Sequence, residues 1–181
     1  MGVVEIERAS RSETDHRSQS VRKVLIFHLA NQAYAIPVDA VLEILPMAWL
    51  AQPPGLPPVL AGFLNLEGVV VPVVRLTRLF GLTDRASELY TPLLIVRSGG
   101  QTLALLVDAV KEVVAIDESA TVPLRENFCF NDSAESLAVV GGANIVLLSC
   151  QRLLREQEQR RVSELAAIEQ SRLDSFQEEP S

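Results

Sequence analysis

Hydrophobic positions from residue 24 onwards fall into short runs rich in Val, Ile and Leu, separated by turn-forming residues. Runs of this kind are typical of β-strands. The predicted strands are 24–29, 34–38, 60–66 and 69–76 in the first half and 93–98, 102–107, 138–140 and 144–148 in the second. Many short strands with frequent turns predict a mainly β fold built from small barrels, not a helix-covered parallel sheet.

The connections between these runs carry their own signals. Two-residue turns are predicted at three places: Asn31-Gln32, Glu67-Gly68 and Gly99-Gly100. The prolines of residues 52–58 predict an irregular loop. Pro72 cannot donate a ladder hydrogen bond, so the strand at 69–76 is predicted to be bulged or at a sheet edge.

Asp39 and Asp108 follow the second strand of each half. An aspartate at a helix N-terminus accepts hydrogen bonds from backbone N–H groups. We therefore predict that each caps a short helical turn, at 40–44 after Asp39 and at the matching place after Asp108. Their equivalent placement favours this structural role over a pair of catalytic carboxylates.

The chain contains an internal duplication. Residues 24–45 align without a gap with residues 93–114, and a looser repeat relates 67–80 to 141–154. The identical pairs in the first block are Ile26/Ile95, Gln32/Gln101, Ala35/Ala104, Val38/Val107, Asp39/Asp108, Ala40/Ala109, Val41/Val110 and Glu43/Glu112. A fixed offset indicates a duplicated supersecondary unit. We predict two barrel repeats, at about 24–82 and 93–155.

Both ends of the chain differ from this central domain, which we place at 21–155. Residues 1–20 are polar and charged, which predicts a disordered tail. Residues 152–176 lack Gly and Pro and carry an irregular apolar stripe, so the segment 156–181 is predicted to be a helix and tail. The helix either packs back on the barrels or supports self-association.

Composition excludes several classes of function. A net charge of −7 argues against nucleic-acid binding, and no run approaches the ~20 apolar residues of a membrane span. Cys129 and Cys150 form no CxxC pair, so we predict neither a metal nor a cofactor. We expect a cytoplasmic protein that does not insert into a membrane.

Catalytic chemistry is not indicated. The two histidines are His16, in the predicted tail, and His28, inside the first strand, and no GxSxG, GxGxxG or P-loop motif is present. We predict that the protein is not an enzyme. One alternative is a small barrel enzyme whose active site forms only in an oligomer.

Three segments carry a resemblance to a known family: 24–45, 54–82 and 93–114. In this order and spacing, over about residues 22–155, they resemble the CheW-like domain of bacterial chemosensory coupling proteins. The resemblance implies two interlocked five-stranded SH3-like barrels; the helix predicted at the C-terminus has no fixed counterpart of this length in the family pattern. It also implies a non-catalytic adaptor of a two-component chemosensory array. Such an adaptor links the signalling tip of a methyl-accepting chemoreceptor to the regulatory domain of a CheA-type histidine kinase.

The resemblance assigns roles to individual residues. Receptor contact falls on Val41, Glu43 and Ile44, and on Glu67 in the predicted turn. A structural role in turns and close backbone approach falls on a second set: Pro54, Gly55, Pro57, Gly62, Asn65 and Gly68. For Asn65 we expect a hydrogen bond to the loop backbone.

Two positions depart from the family pattern by inverting a charge. Glu67 stands where the family usually has arginine, and Arg75 stands where it usually has aspartate. Charge reversal at an interface rim changes partner choice, so we predict a charge-matched partner from a divergent array, such as one for pilus motility or phototaxis. Trp49 is either an exposed hot spot or a buried plug between the barrels. The alternative function is a scavenger that binds receptor or kinase but not both.

Overall fold

The computed structural model describes residues 20–84, 86, 90–125 and 132–177. The strands of the first half are β1 (Val21–Leu29), β2 (Gln32–Pro37), β3 (Val41–Pro46), β4 (Leu60–Leu66) and β5 (Val69–Arg75). Those of the second half are β6 (Pro92–Ser98), β7 (Gln101–Leu106), β8 (Ala109–Asp117), β9 (Val122–Pro123), β10 (Ala134–Val140) and β11 (Ala143–Leu148). The helices are α1 (Leu76–Leu79) and α2 (Glu156–Gln177). The tail predicted at 1–20 lies, except for Ser20, outside the described residues.

The described strands form two sheets, and each sheet takes strands from both repeats. One has the order β8-β1-β2-β11-β10-β9, and the other has the order β3-β6-β7-β5-β4. The β1–β2 hairpin of the first repeat therefore completes the sheet of the second, and the β6–β7 hairpin completes the sheet of the first. The predicted fold class of two interlocked barrels is confirmed, with the two-residue strand β9 as an additional sixth strand in one sheet.

The two sheets have the same register. In the first, Ala35 of β2 lies beside Leu147 of β11 in a parallel ladder. In the second, Ala104 of β7 lies beside Val73 of β5, also in parallel. Ala104 repeats Ala35 in the sequence alignment, and Leu147 repeats Val73. The duplication is therefore a two-fold relation between whole sheets, including the pairing that joins the repeats.

A shared core joins the sheets, and each barrel has a smaller core of its own. The shared core includes Phe27, Tyr34 and Phe80, with ring centroids 5.9 Å apart for the first pair and 5.8 Å for the second. Val162 of α2 also enters it and is 1% exposed. Since α2 packs on β5, the alternative in which the helix packs back on the barrels is confirmed.

The helical turns predicted after Asp39 and Asp108 are wrong. The chain makes one short 3-10 turn, Val38–Ala40, without a side-chain cap, and then enters β3. After Asp108 it enters β8, and the Asp108 Oδ2 accepts a hydrogen bond from the Ala30 N–H at 2.7 Å. Strand pairing across the two repeats therefore overrides the local capping signal.

The edge position predicted from Pro72 is also wrong. β5 lies between β7 and β4. Pro72 pairs with Phe63 of β4, while the ladder with β7 begins one residue later, at Val73. The bulge lies in β4, between Leu60 and Gly62. An internal strand accepts the proline because its missing N–H falls where the parallel ladder has not yet begun.

The other local predictions hold, with small shifts. The turns at Glu67-Gly68 and Gly99-Gly100 are confirmed, all four residues having positive φ. The first hairpin turns at Ala30-Asn31, one residue earlier than predicted. Residues 52–58 form no strand or helix, as their prolines predict.

Candidate partner-binding surface

β3 is an edge strand with an unusually exposed sequence. A bulge between Val41 and Glu43 breaks its pairing with β6, and the normal alternation of buried and exposed side chains is lost with it. Leu42 and Ile44 are each 46% exposed, and Glu43 is exposed between them. Val41 is partly buried against the shared core. The strand therefore presents two aliphatic side chains around one carboxylate.

The turn of the β4–β5 hairpin presents a second carboxylate. Glu67 has φ 50° and Gly68 has φ 90°, so both occupy the left-handed region. The Asn65 Oδ1 accepts a hydrogen bond from the Gly68 N–H at 2.8 Å, which is the loop contact expected for this side chain. Glu67 is exposed at the tip of the hairpin.

Glu43 and Glu67 line one depression of about 330 Å³. Its other lining residues are mostly apolar: Leu42, Leu66, Val69, Val71, Ile95 and Thr102. An apolar floor between two carboxylates is suited to a protein partner that combines aliphatic side chains with a basic group. Val41 and Ile44 lie on the same strand but outside this depression.

Arg75 lies at the other end of β5 from Glu67, roughly 20 Å along a strand of this length. Its guanidinium is 3.8 Å from Asp84, which also accepts hydrogen bonds from the Thr77 hydroxyl at 2.8 Å and the Arg78 Nε at 3.0 Å. Burial disfavours ionisation of Asp84, but these hydrogen bonds and the two guanidinium charges outweigh it and hold its pKa below the usual value. Arg75 thus helps to hold the segment that follows α1.

Trp49 is 84% exposed, which rules out the alternative of a buried plug between the barrels. It lines a groove of about 520 Å³ between the proline-rich loop and the end of α2. Pro53 and Pro54 form one wall, and Leu173 and Phe176 form the other. Phe176 is itself 75% exposed, which gives this groove two open aromatic rings.

The sequence model of the CheW-like domain matches residues 23–158. The chain belongs to the CheW-like domain family. The chemotaxis protein CheW of Helicobacter pylori is 27% identical over 127 residues, which cover 70% of this chain and 77% of that protein. The chemotaxis protein CheW of Klebsiella aerogenes is 26% identical over 148 residues, which cover 80% and 89%.

A solved CheW structure has the same fold. The scaffolding protein TtCheW from Thermoanaerobacter tengcongensis superposes with a TM-score of 0.71 at 27% identity, covering 77% of this chain and 97% of that one. Most of α2, from residue 159 onwards, lies beyond the segment that matches the CheW-like family.

Two of the positions predicted to be structural, Gly62 and Pro57, make close backbone contacts. A Cβ on Gly62 would lie 2.7 Å from the Ala51 carbonyl oxygen. That close approach lets Ala51 and Phe63 exchange two backbone hydrogen bonds, of 2.9 and 2.8 Å. The Pro57 carbonyl accepts a hydrogen bond from the Leu60 N–H at 2.9 Å, which leads the loop into β4.

A third concave site, a polar cleft, was not predicted from the sequence, because both repeats contribute to it. It has a volume of about 630 Å³, and Asp39, Arg97 and the ion pair of Arg22 with Glu135, at 2.9 Å, line it. Cys150 lies at its base. Burial, with a smaller effect from the charge of Glu135, raises the pKa of the Cys150 thiol to about 12.

Within the described parts of the chain, no group of three His, Cys, Asp or Glu side chains is placed to hold a metal ion. The helices described there include none that is long and apolar enough to cross a membrane.

Proposed function

We propose that this chain is a non-catalytic adaptor of a bacterial chemosensory array. It binds the signalling tip of a methyl-accepting chemoreceptor and the regulatory domain of a CheA-type histidine kinase at the same time. The observation that carries this proposal is a CheW-like domain in which Glu43 and Glu67 share one apolar depression. The names of the relatives, chemotaxis proteins and a scaffolding protein, support the same system.

The receptor side of the proposal rests on β3 and the β4–β5 hairpin. We assign receptor contact to Val41, Glu43, Ile44 and Glu67. Exposed aliphatic side chains supply buried apolar area on binding, and the two carboxylates select a partner with a basic group opposite them. The inverted charge at Glu67 makes this a specificity contact of a divergent array.

The binding domain is residues 21–155, with the tail at 1–20 and the helix and tail at 156–181 outside it. The adaptor works in the cytoplasm, beneath membrane receptors, without a cofactor and without nucleic acid, which its net charge of −7 disfavours. Arg75 and Trp49 are assigned to partner specificity. Self-association through α2 is also proposed, and sedimentation of the full chain would test it.

Calorimetric titration tests the proposal. The full chain is titrated with the kinase regulatory domain, with a receptor-tip fragment, and with the second partner after saturation by the first. Simultaneous binding is expected. Glu67→Arg is expected to weaken binding of the cognate receptor tip, because two basic groups then face each other. Glu112→Arg is the control, because it makes the same change of charge outside the proposed receptor surface. Glu112 occupies in the second repeat the position that Glu43 occupies in the first.

The second candidate is a scavenger that binds one partner and competes within the array. The observation that favours it is the exposed carboxylate of Glu67 at a position where the family pattern has arginine. Binding of one partner that excludes the other would establish the scavenger. Binding of neither partner would refute both candidates.

A further inference from the structure

The first half of β5 has a backbone edge that β7 does not cover. The parallel ladder between these strands joins residues 73–75 of β5 to residues 104–106 of β7. Val70, three residues before the ladder, directs its N–H to α2 instead, where it donates to the Gln170 Oε1 at 2.8 Å. A side chain of the helix therefore takes the place of a neighbouring strand.

Gln170 makes this contact through both ends of its amide. The Nε2 donates to the Gly68 carbonyl oxygen at 3.0 Å and to the Asp174 Oδ1 at 2.8 Å. One acceptor and one donor at this spacing reproduce what a peptide group of a paired strand offers. Gln170 thus holds Gly68, the last residue of the turn, and Val70, two residues after it.

Contacts remote from Gln170 anchor α2. Val162 is 1% exposed in the shared core, with Leu165 and Ala166 packed beside it. The Ser163 hydroxyl donates to the Gln101 Oε1 at 3.0 Å. Because Val162 and Ser163 lie about two turns before Gln170, we expect the helix to stay docked when the glutamine is replaced.

The turn that Gln170 holds is strained at the residue that carries the charge. Glu67 has φ 50°, a conformation that side chains with a Cβ disfavour. At the matching turn of the second repeat the chain has Gly141, with φ 56°. Near that turn, Gln32 of the β1–β2 hairpin donates a hydrogen bond from its side-chain amide to the Asn144 carbonyl oxygen of β11. A strained non-glycine residue that surrounding contacts hold in place points to a function for its side chain.

We propose that α2 is a positioning element for the β4–β5 hairpin, and that Gln170 sets the geometry in which Glu67 meets its partner. This inference rests on the proposed function, in which the hairpin contacts a receptor tip. Gln170 is a positioning residue, since it acts through the turn. Most of α2, including Gln170, lies beyond the segment that matches the CheW-like family.

The first test uses the free chain. Amide hydrogen exchange at Val70 is measured by NMR in the wild type, in Gln170→Ala and in Gln157→Ala, the same change at an exposed position of α2. Loss of one hydrogen bond is expected to speed exchange at Val70 about fivefold in Gln170→Ala alone. Circular dichroism checks that α2 remains helical. Unchanged exchange at Val70 in Gln170→Ala would overturn the inference, whatever the chain binds.

The second test is a double-mutant cycle on receptor-tip affinity with Gln170→Ala and Glu67→Gly. In the wild-type background, Gln170→Ala is expected to weaken binding of the receptor tip about fivefold. In the Glu67→Gly background it is expected to have little effect, because the Glu67 side chain that Gln170 positions is absent. Affinity for the kinase domain is expected to stay within about twofold. Additive effects, or equal weakening by Gln157→Ala, would overturn the inference. A wild type that binds no tip would refute the proposed function, and the exchange result would still decide the positioning of the turn.

Discussion

Replacing Gly62 by alanine is predicted to destabilise the protein through a single backbone contact. The new Cβ would lie 2.7 Å from the Ala51 carbonyl oxygen and 2.9 Å from the Leu50 Cβ, so the segment around Ala51 must move. Movement breaks the two hydrogen bonds between Ala51 and Phe63, at a net cost of about 1 kcal/mol each. Gly62 also has φ 152°, where alanine costs about 1 kcal/mol more.

The total of about 3 kcal/mol is measurable by urea unfolding. For a chain of this size the midpoint is expected to fall by about 1 M with an unchanged slope. Gly81→Ala is the matched control, because Gly81 has φ 66° but no heavy atom within 4 Å of its added Cβ. We expect about 1 kcal/mol from that variant. If Gly62→Ala destabilises no more than Gly81→Ala, the close approach to Ala51 does not matter for stability.

Three other predictions concern single side chains. The pKa of Asp84 is lowered in the folded state, so the contribution of this carboxylate to stability is complete above about pH 4 and is lost as the pH falls through the folded pKa. Asp84→Asn should therefore flatten the pH dependence of the urea midpoint between pH 5 and pH 2. Trp49, the one tryptophan of the chain and 84% exposed, should be quenched freely by iodide and be shielded by any partner that uses its groove; equal quenching in the complexes would remove it from the interface. Cys150 is 4% exposed and its pKa is raised to about 12. In a Cys129→Ser variant, it should resist thiol reagents at pH 8 until urea unfolds the chain. Rapid labelling of the folded protein would contradict its burial.

Features that depend on neighbouring residues could be predicted from the sequence. The Glu67-Gly68 turn and the irregular proline loop follow from backbone preferences that act within a few residues. The duplication was visible because its two copies retain enough identity to align. The two-fold relation between the sheets then follows from it.

Features that depend on pairing between the repeats could not be predicted in this way. β3 and β8 carry sequences that suit a capped turn as well as a strand, and pairing with β6 and β1 decides between them. The shared depression of Glu43 and Glu67 joins residues that are distant in the sequence. The groove beside Trp49 includes residues of α2, which follows more than 100 residues later in the chain. No local pattern contains that information.

The exchange of hairpins between the repeats has a consequence for synthesis in the cell. The β1–β2 hairpin leaves the ribosome long before β8 and β11, the strands that flank it in the finished sheet. At roughly 5–20 residues per second, its apolar face waits for several seconds without its native neighbours. A prematurely terminated product that ends between the repeats lacks β6 to β11 and leaves both sheets incomplete. Such fragments are therefore expected to be degraded and not to compete with the intact protein for partners.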